Sequence, residues 1–190
     1  MTISRAAVAL GLGSLLMAAA ASGVRAQQKE MPMPKPGPEH ALLKDDVGTW
    51  DAVVEMFGAP GAPPMKSKGV ETNTLGCAGL CLITDFKGEM GPGTAFEGHG
   101  VSTWDPAKKK FVGVWTDSMS FGLGTGESTW DSKTRTVTGY MEGADQTGKV
   151  MKMKSVVQYK GADTRIFTMY GPPEGGKETV TMTITYTRRR

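Results

Sequence analysis

From Val47 onward the side chains alternate in character with a period of two, and turn residues interrupt the alternation every eight to fourteen positions. Successive strand residues point to opposite faces, so this pattern separates cleanly on a half-buried strand, whereas a helix would scatter both sets around its axis. The last segment is the clearest: Val180, Met182, Ile184 and Tyr186 point one way, and Thr179, Thr181, Thr183, Thr185 and Thr187 the other. Met151, Met153, Ser155, Val157 and Tyr159 share a face in the same manner, as do Phe111, Gly113, Trp115 and Asp117. The interruptions are turn chemistry, with Asp capping tight turns at Asp105-Pro106-Ala107-Lys108 and Asp131-Ser132-Lys133-Thr134, and glycine serving at Lys160-Gly161-Ala162-Asp163. The spacing predicts ten strands, over 47–57, 66–75, 79–87, 94–104, 109–117, 123–130, 135–143, 149–160, 164–170 and 177–188.

Ten strands joined by short turns form an antiparallel meander, which must close or leave two edges exposed. An all-β, up-and-down barrel of about ten strands is the expected fold, with a two-sheet β-sandwich as the alternative. One short helix is expected, from Pro38 to about Asp46, because Pro38 suits a first turn and Glu39 complements the positive helix end. His40 is expected to hold that helix against the barrel mouth. The Trp-Asp pairs at 50, 104 and 130 lie 54 and 26 residues apart, too irregular for propeller blades.

The first 26 residues read as an address. Arg5 precedes an apolar run from Ala6 to Ala21, and Val24-Arg25-Ala26 offers a peptidase site, so a secretory signal cleaved after Ala26 is expected. About sixteen apolar residues is short for a membrane span of roughly twenty. A proline-rich linker over 27–37 and a single barrel domain over 38–190 complete the expected organisation, and the protein is expected in the periplasm or secreted. Lys and Arg total 22 against 19 Asp and Glu, a mixed balance of +3 with no basic stripe, which argues against a nucleic-acid partner. No membrane partner is expected after signal removal, and oligomeric state is left open.

Six motifs occur in order: Pro36-Gly37-Pro38-Glu39-His40, Gly48-Thr49-Trp50, Thr84-Asp85-Phe86-Lys87-Gly88, Phe96-Glu97-Gly98-His99-Gly100, Trp115-Thr116-Asp117-Ser118-Met119 and Thr185-Tyr186-Thr187-Arg188. Together they resemble a family of exported bacterial proteins known only as a domain of unknown function. The resemblance implies a calycin-like barrel, loosely akin to lipocalins and nitrobindins, and implies no activity. Where that family's pattern has a Gly-Gly pair and an aromatic residue, this chain carries Cys77 and Cys81.

Cys77 and Cys81 could form a local disulfide, remain separate thiols or bridge two molecules. A regular strand would hold their α-carbons about 13 Å apart, so a local bridge needs a bulge or turn at Ala78-Gly79. His99, flanked by glycines, is a candidate ligand contact or structural histidine. Asp117 could anchor a ligand or pair with Arg165 or His99. No Ser-His-Asp arrangement has support, and no metal ligands are assigned. Thirteen methionines, eleven beyond residue 26, read first as adaptable core filling and second as soft copper(I) ligands.

The function favoured by these observations is a binding barrel holding a small, largely apolar ligand. Its expected lining is Phe96, Trp115, Tyr140, Met153 and Met169, with His99 and Asp117 as polar anchors and Gly79, Gly98, Gly100, Gly113 and Gly139 leaving space. A chamber smaller than about 300 Å³ would argue against it. The alternatives are a haem- or metal-dependent enzyme using His99, and a filled structural or interaction barrel. No cofactor is assigned.

Overall fold

The computed structural model describes residues 32–59, 61–91, 93–145, 147–172 and 177–190. The expected signal segment, its cleavage after Ala26 and the start of the proline-rich linker lie outside the described residues. A helix, α1 (His40–Asp45), is followed by ten strands: β1 (Gly48–Met56), β2 (Met65–Gly76), β3 (Cys81–Glu89), β4 (Ala95–Asp105), β5 (Lys110–Asp117), β6 (Gly124–Asp131), β7 (Thr136–Ala144), β8 (Val150–Tyr159), β9 (Thr164–Tyr170) and β10 (Val180–Arg188). Each strand pairs antiparallel with the next, and β1 pairs with β10, so the sheet closes as a barrel and the sandwich alternative is not adopted.

Register carries one face of every strand around the ring. Trp50, Ala52 and Val54 of β1 lie opposite Arg188, Tyr186 and Ile184 of β10 on one side and opposite Glu71, Gly69 and Ser67 of β2 on the other. Continuing the pairing places Phe86, Phe96, Gly98, Trp115, Gly126, Met141, Met153, Met169 and Met182 on the same inner face. Trp50, Ala52, Val54, Phe86, Ile184 and Tyr186 form the main buried cluster, with Phe96, Trp115 and Phe167 packed against it.

The lower end of the barrel is shut by α1. Leu43 packs with Leu82 and Phe111, flanked by Trp104 and Trp130. His40 is buried, and its Nδ1 accepts the Gly37 amide at 2.9 Å, which ties the helix start to the preceding turn. The helix thus seals the end opposite the loops bearing Met90 and Met119.

Two glycine expectations are corrected. Gly79 is not in a strand but in a short turn, Cys77–Gly79, with φ values of 52°, 55° and 88° at residues 77 to 79. That left-handed turn brings the Cys77 and Cys81 α-carbons to 5.6 Å, and the two sulfurs are bonded. Gly98 does face inward, but it leaves no void: a Cβ there would lie 2.3 Å from Cζ2 of Trp115. The glycine's missing side chain is the seat of the indole. Gly98→Ala is expected to destabilise the fold by about 1–3 kcal/mol through overpacking, seen as a lower midpoint in urea. Gly58→Ala, with nothing within 4 Å, should stay within about 0.5 kcal/mol of the parent.

Candidate functional site

Above the α1 cap, a polar layer crosses the barrel interior, and above that layer lies a chamber. The polar layer is built around Arg165, buried on β9. It forms ion pairs with Asp46, at 2.9 Å, and with Glu71. Asn73 Nδ2 donates to Glu71 Oε1 at 2.7 Å, and Thr84 Oγ1 donates to Asn73 Oδ1 at 2.7 Å. Tyr159 donates its hydroxyl to Asp46 Oδ2 at 2.9 Å. The guanidinium lies 4.4 Å from the Trp50 ring centroid and 4.6 Å from that of Tyr186, close enough for cation–π attraction. Residues from β2, β3, β8, β9 and the end of α1 are thereby joined through one cation.

The titration of these groups follows from burial. Burial raises the Asp46 carboxyl above its ordinary 3.8, a shift that Arg165 only partly offsets. Burial would lower the Arg165 guanidinium, but Asp46 and Glu71 outweigh it and the group is raised, so it stays charged. Tyr159 and Tyr186 are both raised, chiefly by burial and then by the neighbouring carboxylates, so both keep their protons.

The chamber has a volume of about 470 Å³. Phe86, Phe96, Trp115, Phe167, Ile184 and Tyr186 line it together with seven methionines: Met56, Met90, Met119, Met141, Met153, Met169 and Met182. Its ionisable lining groups mostly have partners already. Glu71 is held by Arg165, and Lys154 Nζ pairs with Glu178 at 2.7 Å. Asp117 accepts from Trp115 Nε1 and from the Met119 amide, each at 2.9 Å.

Of the residues expected at the site, the structure brings Phe96, Trp115, Asp117, Met153 and Met169 to this chamber. It does not bring His99 or Tyr140. His99 lies opposite Asp85 and Thr116 on the outer face, half-exposed, with Nδ1 2.6 Å from Asp85 Oδ1 and Nε2 3.6 Å from Glu97 Oε1. Tyr140 pairs with Lys154 and Glu127 and is 49% exposed. The reason is parity: Phe96 and His99 are an odd number of residues apart on one strand, so only one of them can face inward. An enzyme built on His99 would therefore have to work on the outer wall. Asp117 pairs with neither Arg165 nor His99, another correction, because Arg165 is taken by Asp46 and Glu71.

An outer groove of about 740 Å³ crosses β4 to β8. Its wall carries Tyr140, Val112 and Val114 among paired ions. Lys108 and Lys110 hold Glu127 at 2.6 and 2.8 Å and keep its carboxyl down at about 2, and Lys152 meets Glu142 at 3.1 Å. Such solvated pairs suit a surface wall better than a ligand pocket.

Comparison with known proteins agrees on architecture. The chain is similar to a solved structure titled "Crystal Structure of Rv2717c from M. tuberculosis", with 10% identity and a TM-score of 0.59, over 82% of this chain and 100% of that one. At that identity the likeness shows the fold alone. No curated protein matches the chain. Over residues 35–188 it matches the family described as "Protein of unknown function (DUF1579)", and it belongs to that family.

Two outcomes test the polar layer. Arg165→Met leaves two carboxyls buried without their cation and is expected to cost about 3–5 kcal/mol at neutral pH, with part of the loss recovered on acidification. Asp46→Asn removes a carboxyl whose folded pKa is raised. Below pH 3.8 that carboxyl is protonated in both states, and as pH climbs toward the folded value the unfolded chain ionises first. The stability of the parent relative to Asp46→Asn should therefore fall with rising pH across that window and then level off. A relative rise would show that Arg165 outweighs burial.

Proposed function

We propose that this DUF1579 chain is a binding barrel whose interior takes one small, largely apolar molecule. The observation that carries the reading is the chamber of about 470 Å³. That volume lies within the usual range for ligand pockets, which starts near 300 Å³. Its wall is aromatic and thioether, and the charged groups at its floor are engaged with one another. A ligand with a polar head would have to displace those pairings, whereas an apolar one gains burial without disturbing them. Methionine suits such a wall because its flexible side chain adapts to ligands of different shape.

Export fits the same reading. The Arg5 to Ala26 segment has the build of a secretory signal, and a disulfide between Cys77 and Cys81 suits an oxidising compartment. A periplasmic or secreted carrier or scavenger of small apolar molecules is the resulting proposal.

The test is titration with an environment-sensitive apolar fluorophore. Ser155 lies on the chamber wall between Met153 and Val157. Ser155→Phe places a ring in the ligand's space and is expected to weaken binding at least about tenfold, or roughly 1.4 kcal/mol. His99→Ala, on the outer wall, should leave binding unchanged. Equal binding by Ser155→Phe with an intact melting transition would contradict the proposal, as would loss of binding in His99→Ala.

A further inference from the structure

We propose that the upper layer of the chamber is a thioether site for a soft monovalent metal ion, Cu(I). The methionines are not spread through the core. On β1 the inner positions run Trp50, Ala52, Val54, Met56, and on β10 they run Tyr186, Ile184, Met182. On β9 they run Arg165, Phe167, Met169. In each strand the polar or aromatic residue lies low, apolar residues follow, and methionine comes at the top.

These top residues are also in register. Met56 lies directly opposite Met182, and Met182 directly opposite Met169, so three methionines stand side by side on three neighbouring strands. Met141 and Met153 form a second opposed pair on β7 and β8. Directly opposed side chains have Cβ atoms about 4.5–5.5 Å apart, which leaves the sulfur atoms of long, flexible side chains free to converge on one point. Strand interiors ordinarily favour β-branched and aromatic residues. Repeated methionine in one layer supplies something that Val or Ile would not, namely a soft sulfur donor. Thioether donors select Cu(I) over the harder divalent ions.

The local charge agrees with a cation. Asp117 and Glu89 also line the chamber, and Asp117 is held by the neutral Trp115 indole and the Met119 amide, not by a cation. The inference shares the chamber with the ligand reading but not its chemistry, so each can fail alone.

Silver(I) is the redox-inert probe, added without reductant so that the Cys77–Cys81 disulfide stays closed. Calorimetric titration of the purified protein is expected to show saturable binding. Met56→Leu, Met169→Leu and Met182→Leu combined conserve volume and apolarity while removing sulfur. That variant is expected to bind silver at least about tenfold more weakly, a loss of roughly 1.4 kcal/mol, while keeping a cooperative melting transition close to the parent's. Absence of silver binding by the parent, or equal binding by the variant, would overturn the proposal. If the triple variant does not keep that transition, the single Met182→Leu, central to the three, decides by the same silver titration: equal binding overturns the proposal and weaker binding supports it. Loss of fluorophore binding by the parent, with silver binding intact, would instead sink only the apolar-ligand reading.

Discussion

One guanidinium determines how this barrel is divided. Arg165 would be costly to bury alone, and so would Asp46 or Glu71. Held together they form a layer that spans the interior from the end of α1 to β2 and β9. Trp50 and Tyr186 lie against the same cation, and Trp50 Nε1 donates to the Asp46 carbonyl at 2.9 Å. Arg165 thus ties the strand pair that closes the barrel, β1 with β10, to the end of α1, beside Arg188 of β10, which donates to the Asp45 and Val47 carbonyls.

Below that layer apolar side chains pack as a cluster, and above it lies the chamber. Below, Leu43 of α1 packs with Leu82, Phe111, Trp104 and Trp130 as a conventional core. The Trp104–Phe111 and Trp130–Tyr159 rings meet edge to face, at 5.1 and 5.5 Å. Above, the wall passes from aromatic residues to methionines around unfilled volume. A molecule that needed only stability could have packed the upper half as it packed the lower. The separation into a rigid, sealed base and an adaptable upper chamber is the feature from which the functional reading is built.

Much of this architecture was legible in the chain, because strand periodicity is a direct geometric consequence of the backbone. All ten strands fall where alternation and turn residues place them, with ends differing by up to three residues. The polar layer was not legible. On β2 both faces are polar: Ser67, Glu71 and Asn73 turn in, while Lys66, Lys68 and Thr72 turn out, so hydropathy marks no inner side. Glu71 and Asn73 acquire their roles only from Arg165, 94 residues from Glu71 in sequence. On β4 the spacing alone shows that Phe96 and His99 could not both face inward. The glycines around His99 signalled close approach correctly, but what approaches is the Trp115 ring on the inner side.

Whether the upper chamber receives an apolar molecule decides what this barrel is for. Nuclear magnetic resonance of protein labelled at methionine methyls and tryptophan indoles, titrated with a small apolar ligand, reads this most directly. Saturable shifts are predicted for the methyls of Met153, Met169 and Met182 and for the Trp115 indole, while the Trp104 and Trp130 indoles below the polar layer stay fixed. Shifts confined to those lower indoles, or no saturable shift at all, would contradict the apolar-ligand reading.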